Sequence, residues 1–323
     1  MPRSKFLPPP GKSGAPREPR GILELDRFSE ASLQQWKTLS EDLDELERTL
    51  YYALEPERRR LWPDLLAALQ QEVEPPLEIH NWFRIATYTY SLNPLSAGGS
   101  LLAYGGRFNP GGDLERGTLA PWPALYLAED FETAFHEKFQ MRSDEQRGGL
   151  TATDLALQPN VSHVSVRLDG RLTRVFDATS PERLDPVARV LGRIKLPERA
   201  GKLKRKLQIQ QNALYMIRTG KQLFEVIFSH NWRRLPVQFD LPAPSQVLAE
   251  MIRDAGYEGI LYSSTRHSGR CLVVFPEVLR EGSFIALVDK PPHPETVDRL
   301  DASTADELSG WEVLPVHTRT RRR

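Results

Sequence analysis

The chain has almost no cysteine, no excess of either charge and no long apolar run, and each of these features excludes a class of protein. A single cysteine, Cys271, cannot form an intramolecular disulfide framework or a zinc site built from several cysteines. The 43 basic and 43 acidic side chains balance, so no global field draws the chain to nucleic acid or to an acidic membrane. No apolar run approaches the roughly 20 residues that span a bilayer.

The N-terminus also lacks the apolar core of a signal peptide. Residues 1–22 are rich in Pro, Gly and basic side chains, a composition typical of a disordered tail. The sequence therefore predicts a cytoplasmic protein. No metal site is expected, since His267 lies in a turn without a companion ligand.

Residues 23–77 form a predicted helical extension. An apolar side chain recurs every three or four residues, first at Trp36, Leu39, Leu43, Leu46 and Leu50 and then at Leu61, Leu65, Leu66 and Leu69. This spacing favours two amphipathic helices that pack on the main domain. A partner-binding or self-association element is the alternative.

The most informative stretch runs from Tyr104 to Glu137. Glycines at 105, 106, 111 and 112 surround Arg107 and Asn109, and glycine lets a backbone come close to a ligand. The sequence ALYLA (124–128) predicts a short buried strand. Asp130 suits the N-cap of a helix from Phe131 onward, and Glu137 lies two turns into it.

Further elements follow along the chain. Strands are predicted at 164–168, 171–179, 259–264 and 270–275, and helices around 184–191, over 213–228 and from Pro244 to Gly256. Basic side chains cluster in 195–206, and no aromatic side chain lies among them. That run favours a solvated face and argues against nucleic-acid binding.

Three blocks of this sequence resemble the RES-domain family, which is named for an arginine, a glutamate and a serine. The first block, FRIATYTYSLNPLS (83–96), contains Arg84. The second joins GGRFNPGG (105–112) to ALYLAEDFETAFHE (124–137) and contains Arg107, Tyr126 and Glu137. The third, GYEGILYSSTRHSGRCLVVF (256–275), contains Ser264.

The resemblance implies an α+β fold similar to that of ADP-ribosyltransferases, a mixed core around an NAD cleft. The catalytic domain would cover residues 78–290, with extra sequence within 138–235. Residues 291–323 would form a C-terminal extension with a basic tail. Members of the family are typically NAD⁺-consuming toxins of toxin–antitoxin pairs. The expected partners are therefore NAD⁺ and an antitoxin protein that blocks the cleft.

The resemblance also implies roles for single residues. Glu137, Arg84 and Tyr126 would be catalytic, with Glu137 favouring the cation that grows on the ribose as the nicotinamide leaves. NAD⁺ would be bound by Arg84, Arg107, Gly105, Gly106, Tyr126 and Ser264. The arginines suit the diphosphate, the glycines admit backbone amides to it, and Ser264 would bond the carboxamide or a phosphate oxygen.

Each of these residues also has a purely structural interpretation, and three neighbours are expected to stay outside the chemistry. Asn109 is expected to shape its own loop, and His136 and His267 are not expected to be catalytic. The intact residue set favours an enzyme that cleaves NAD⁺ by hydrolysis or phosphorolysis. ADP-ribosylation of a protein and a non-catalytic binding module are the alternatives. Water, phosphate and a protein side chain all attack the same carbon, so the acceptor stays open.

Overall fold

The computed structural model describes residues 30–70, 75–139, 162–210, 213–229, 232–291 and 293–310. The predicted disordered tail (1–22) and the arginine-rich end of the predicted basic tail lie outside these residues, as does part of the extra sequence within 138–235. The chain divides into two units, Met1–Asp42 and Leu43–Arg323. Apart from residues 30–42 of the first helix, the features described below belong to the second unit.

Two helices open the described part of the chain, α1 (Glu30–Arg60) and α2 (Trp62–Leu69). Leu65 and Leu69 of α2 are buried in the main hydrophobic core, and the Tyr257 hydroxyl donates to the Leu69 carbonyl over 2.6 Å. Leu46 of α1 packs in a smaller cluster with Ala200 and Leu203. The expectation that these helices pack on the main domain is confirmed for residues 43–69.

The strands are β1 (Leu77–Thr87), β2 (Gly105–Gly106), β3 (Asn109–Pro110), β4 (Leu125–Ala128), β5 (His163–Leu172), β6 (Val175–Asp177), β7 (Gly259–Ser263), β8 (Arg270–Val274), β9 (Phe284–Leu287) and β10 (Arg299–Leu300). Eight of them form one sheet in the order β10-β9-β5-β1-β4-β8-β7-β6, while β2 and β3 form a separate ribbon. Strands β6 and β7 are parallel, and the other neighbours are antiparallel.

The remaining helices are α3 (Phe131–Phe139), α4 (Asp185–Leu191), α5 (Glu198–Lys206), α6 (Gly220–Ile227), α7 (Arg234–Phe239), α8 (Pro244–Asp254) and α9 (Ala305–Gly310). Together with the sheet they confirm the predicted α+β class and the N-terminal helices. Within the described ranges, no helix combines the length and the apolar character needed to cross a bilayer.

The helix predicted over 213–228 is wrong in its first half. Helix α6 begins only at Gly220, where the Thr219 hydroxyl caps it by accepting from the Gln222 amide over 3.2 Å. Met216 and Ile217 pack against the core from an irregular segment. The apolar residues of this segment are therefore explained by packing on the core and not by a helix.

Side chains alternate between the two faces of the sheet, and its central strands bury apolar side chains on both faces. Leu125 and Leu127 of β4 belong to one core cluster, together with Leu272 of β8. Tyr126 of β4 and Cys271 of β8 alternate with them and belong to the other cluster. The second face also carries α3.

Candidate active site

A cavity of about 330 Å³ lies where β1, β4 and β8 meet α3 and the glycine-rich segment. Six of the residues predicted for the site line this cavity, namely Arg84, Gly105, Gly106, Arg107, Tyr126 and Glu137. Ser264 reaches the same place through a bond to Glu137. Residues that are far apart in the chain thus meet around one space.

Helix α3 holds Glu137 at the cavity because its start is firmly capped. Asp130 accepts from the Thr133 amide and from the Thr133 hydroxyl, both over 2.7 Å, as the sequence predicts for an N-cap. Glu137 is half-buried. Its Oε1 accepts from the Ser264 hydroxyl over 2.6 Å and from the Thr265 amide over 3.1 Å. The loop after β7 therefore fixes the orientation of the carboxylate.

Ser264 is the centre of that loop. Its hydroxyl donates to Glu137 and accepts from the amides of Arg266 and His267, over 3.0 and 3.1 Å. The family resemblance implies that this hydroxyl contacts the ligand, and that role stays a prediction. In the structure, the Ser264 hydroxyl stabilises its own loop and orients the Glu137 carboxylate.

Polar side chains of α3 and of the residue before it also contact this loop through His267. The Nδ1 of His267 lies 2.9 Å from the Thr133 hydroxyl, whose proton goes to Asp130, so Nδ1 is the donor in this pair. The rings of His136 and His267 stack with centroids 5.3 Å apart. A Cβ at Gly269 would lie 2.2 Å from the Thr133 hydroxyl oxygen. Glycine at 269 therefore lets β8 approach α3 closely.

The glycine segment is held in shape by Asn109. Asn109 is fully buried, and its Oδ1 accepts from the Gly106 amide over 3.0 Å and from the Tyr126 hydroxyl over 2.9 Å. This agrees with the expectation that Asn109 shapes its own loop. A Cβ at Gly106 would lie 2.4 Å from the Tyr126 hydroxyl oxygen, and Gly105 has a φ of +78°. Both positions therefore require glycine.

The backbone amides of Gly105 and Gly106, which the resemblance assigns to the diphosphate, both donate to acceptors within the protein. The Gly106 amide donates to Asn109, and the Gly105 amide donates to the Leu102 carbonyl over 3.1 Å. Tyr126 also has protein partners, since its hydroxyl donates to Asn109 and accepts from the Phe108 amide over 3.0 Å. Burial raises the pKa of the Tyr126 phenol well above its ordinary value. Tyr126 is therefore a neutral hydroxyl at physiological pH.

Gln246 of α8 is a supporting residue that sequence reasoning missed. It is fully buried, and its Nε2 lies 3.0 Å from each of three carbonyl oxygens, those of Tyr104, Gly106 and Asn109. Its Oε1 accepts from the Ala243 amide over 2.9 Å. A glutamine in the first turn of a helix gives no local signal of partners that lie about 140 positions away.

The two predicted arginines both hold the backbone that surrounds the cavity. Arg84 donates to the carbonyls of Pro94, Ser96 and Tyr126 over 2.8, 2.9 and 3.2 Å. Burial lowers its pKa to about 10, so it stays charged at neutral pH. A guanidinium has five N–H groups, so Arg84 keeps donors for a ligand after these three bonds.

Arg107 is more deeply buried, with 6% of its surface exposed. Its Nη1 donates to the carbonyls of Ile227 and Ser229 over 2.9 and 3.1 Å, and its Nη2 to the Thr265 hydroxyl over 3.3 Å. Burial lowers the pKa of Arg107. Thr265 thus joins the arginine to the acid, because its amide donates to Glu137.

Further residues line the cavity without having been predicted for the site, among them Tyr90, Lys138, Trp232, Arg233, Tyr262 and Cys271. The Lys138 ammonium donates to the Thr87 hydroxyl over 2.9 Å, and burial lowers its pKa. Burial raises the pKa of the Cys271 thiol well above its ordinary value, which disfavours a thiolate nucleophile. In the part of the chain that the structure describes, no group of three or more His, Cys, Asp or Glu side chains is arranged to hold a metal.

Comparison with known proteins gives one family and one solved structure. The model of the RES domain family matches residues 81–287. The solved structure is entitled "Crystal structure of the M.tuberculosis MbcT-MbcA toxin-antitoxin complex"; the match is 16% identical and covers 77% of this chain and 98% of that chain, with a TM-score of 0.39. At that TM-score the two backbones do not superpose closely enough to equate residues. No curated protein matches the chain.

Proposed function

This chain belongs to the RES domain family, whose model matches residues 81–287, and we propose that it is an NAD⁺-consuming enzyme of the toxin type that cleaves the nicotinamide–ribose bond. One observation carries the proposal above the others. A carboxylate, Glu137, is oriented by Ser264 and Thr265 within the same cavity that Arg84 and Arg107 line. An acid beside convergent cations suits a substrate that has a cationic leaving end and an anionic diphosphate.

The chemistry needs one bond to break and one to form. The pair of electrons in the C1′–N bond goes to the nicotinamide ring, which leaves neutral, and positive charge develops over C1′ and the ring oxygen. Glu137 stabilises that charge, as carboxylates do in glycoside cleavage. An acceptor then bonds to C1′ and loses a proton. Tyr126 either stacks on the nicotinamide or forms a hydrogen bond to a ribose hydroxyl through its neutral phenol.

In this proposal, the fixed orientation of the Glu137 carboxylate increases its stabilisation of the developing cation. The Ser264 and Thr265 donors both reach one oxygen, Oε1, and hold the carboxylate before substrate arrives. A fixed negative charge in a partly dehydrated cavity stabilises a developing cation more than a mobile one in water does.

The acceptor and the partner are open parts of the proposal. Water, phosphate and a protein side chain give ADP-ribose, ADP-ribose 1″-phosphate and an ADP-ribosylated protein, respectively. We favour hydrolysis or phosphorolysis, with protein modification as the alternative. A partner protein that covers the cavity would act as an antitoxin.

The decisive experiment incubates the purified protein with NAD⁺, with and without phosphate, and identifies the products by mass. A phosphate-dependent product assigns phosphorolysis, and ADP-ribose in either buffer assigns hydrolysis. Production of the protein without its partner should arrest growth and deplete cellular NAD⁺. Unchanged NAD⁺ after long incubation with phosphate and cell extract would refute the proposal.

A further inference from the structure

The cavity holds more positive than negative side chains. Among the described residues that line it, Arg84, Arg107, Lys138 and Arg233 are cationic, and Glu137 is the carboxylate. The pKa of each of the four cations is lowered chiefly by burial, so each is less stable charged here than in water. An anionic ligand would relieve that cost at all four positions.

Arg233 is more exposed than the two arginines of the sequence motifs. Arg84 and Arg107 each donate to backbone carbonyls and so help to build the walls of the cavity. Arg233 is exposed by surface area and still lines the cavity, which puts it where an incoming ligand passes. It belongs to the region 138–235, for which the sequence suggests no role.

Trp232 connects Arg233 to Arg107. The indole is buried, and the guanidinium carbons of Arg107 and Arg233 lie 5.9 and 4.6 Å from its ring centre. Both arginines therefore use cation–π contacts with one rigid side chain. Repulsion from Arg107 and Arg266 adds to partial desolvation in lowering the pKa of Arg233. Two guanidinium groups that contact the same indole at the wall of one cavity favour an anion that can contact both.

We propose that Arg233 contacts the ligand as an additional arginine of the site, binding the diphosphate of the dinucleotide together with Arg107, and that Trp232 fixes the position of the pair. This inference rests on the proposed function for the identity of the ligand. Each of the two phosphate groups of a diphosphate has oxygens that accept hydrogen bonds. Each guanidinium can therefore bind a different phosphate group through two N–H donors. Arg233 is then a determinant of affinity and of the preference for phosphorylated nucleotides.

The neighbouring arginine provides a matched control. Arg234 donates to Glu47 over 2.7 Å, and its guanidinium carbon lies 5.5 Å from the ring centre of Phe239. It is not among the residues that line this cavity. Arg233→Ala and Arg234→Ala remove the same side chain at adjacent positions. Thermal melting of both variants checks that each is folded.

The test measures KM and kcat for NAD⁺ in the active protein and Kd for NAD⁺ in a Glu137→Gln background, in which turnover is expected to be strongly slowed. Arg233→Ala should raise KM and Kd roughly 10- to 100-fold with little change in kcat, and Arg233→Lys should recover only part of the loss. Arg234→Ala should leave all three values unchanged. Equal values for both variants, whether at the wild-type level or equally weakened, would overturn the inference while the proposed function stands.

A failure of the proposed function gives a different result. If the wild-type protein neither consumes nor binds NAD⁺, inorganic pyrophosphate becomes the probe for the same variants. Weaker pyrophosphate binding in Arg233→Ala alone would support the anion site without the dinucleotide. No pyrophosphate binding by the wild type, or equal binding by both variants, would overturn it.

Discussion

The cavity at Glu137 and the helical segment Leu43–Leu69 are built from opposite kinds of side chain. The cavity collects Glu137, Arg84 and Arg107, groups that are costly to bury and that do little for folding unless they are paired. The helical segment contributes Leu46 and Leu65, which are 1% and 0% exposed. Substitutions in the first region should change turnover or ligand affinity, whereas those in the second should change stability alone.

The largest effect is expected at Glu137. Glu137→Gln keeps an oxygen that can accept from Ser264 and Thr265 but removes the negative charge, so turnover should fall by about two to four orders of magnitude. Binding of NAD⁺ and the melting temperature should change far less. Steady-state kinetics, calorimetry and thermal melting measure the three quantities. Near-normal turnover would remove the assigned role, and a large loss of stability would erase the contrast with the helices.

The next effect belongs to the helical segment. Leu46→Ala opens a space against Ala200 and Leu203 and should lower the free energy of unfolding by about 2–5 kcal/mol. Leu39 lies on the same predicted stripe but is 39% exposed, so Leu39→Ala should cost less than about 0.5 kcal/mol. Chemical denaturation measures both, and KM for NAD⁺ should stay the same. A changed KM in Leu46→Ala would mean that the two regions are coupled.

Substitution of Arg107 is expected to change both ligand affinity and stability, and so tests whether these two effects can be assigned to separate regions. Arg107→Ala removes the proposed contact with the ligand and also leaves the carbonyls of Ile227 and Ser229 without their donor. NAD⁺ affinity should therefore fall roughly 10- to 100-fold, and stability should fall with it. Arg107→Lys should restore little of either, because one ammonium cannot reproduce a forked contact. Full rescue by lysine would reduce Arg107 to a point charge.

The same contrast explains what the sequence could and could not predict. Local patterns were sufficient for β4, for the Asp130 cap of α3 and for the α8 helix that ends before Gly256. The resemblance to the RES-domain family, and not a local pattern, singled out Arg84, Arg107 and Glu137, which line one cavity. These features depend on neighbouring residues or on motifs that carry their own geometry.

The remainder depends on contacts between distant parts of the chain. Gln246 acts on carbonyls about 140 positions earlier, and Thr265 joins Arg107 to Glu137, which lie 158 and 128 positions earlier in the chain. Trp232 and Arg233 lie in a segment with no clear periodicity, so only the folded structure brings them to the cavity. The bonds of Arg84 to three carbonyls likewise follow from tertiary structure and not from its motif.

The smallest effect, and the finest distinction, is expected at Ser264. Its hydroxyl orients Glu137 over 2.6 Å, and the Thr265 amide still holds the same oxygen when the hydroxyl is removed. Ser264→Ala should therefore lower kcat only about tenfold and leave KM for NAD⁺ nearly unchanged. Ser264→Thr keeps a hydroxyl and should recover most of the loss, while Ser263→Ala at the adjacent exposed position should have no effect. A raised KM with kcat unchanged would instead support the ligand contact that the family resemblance implies, and Ser264 would then belong with the arginines and not with the acid.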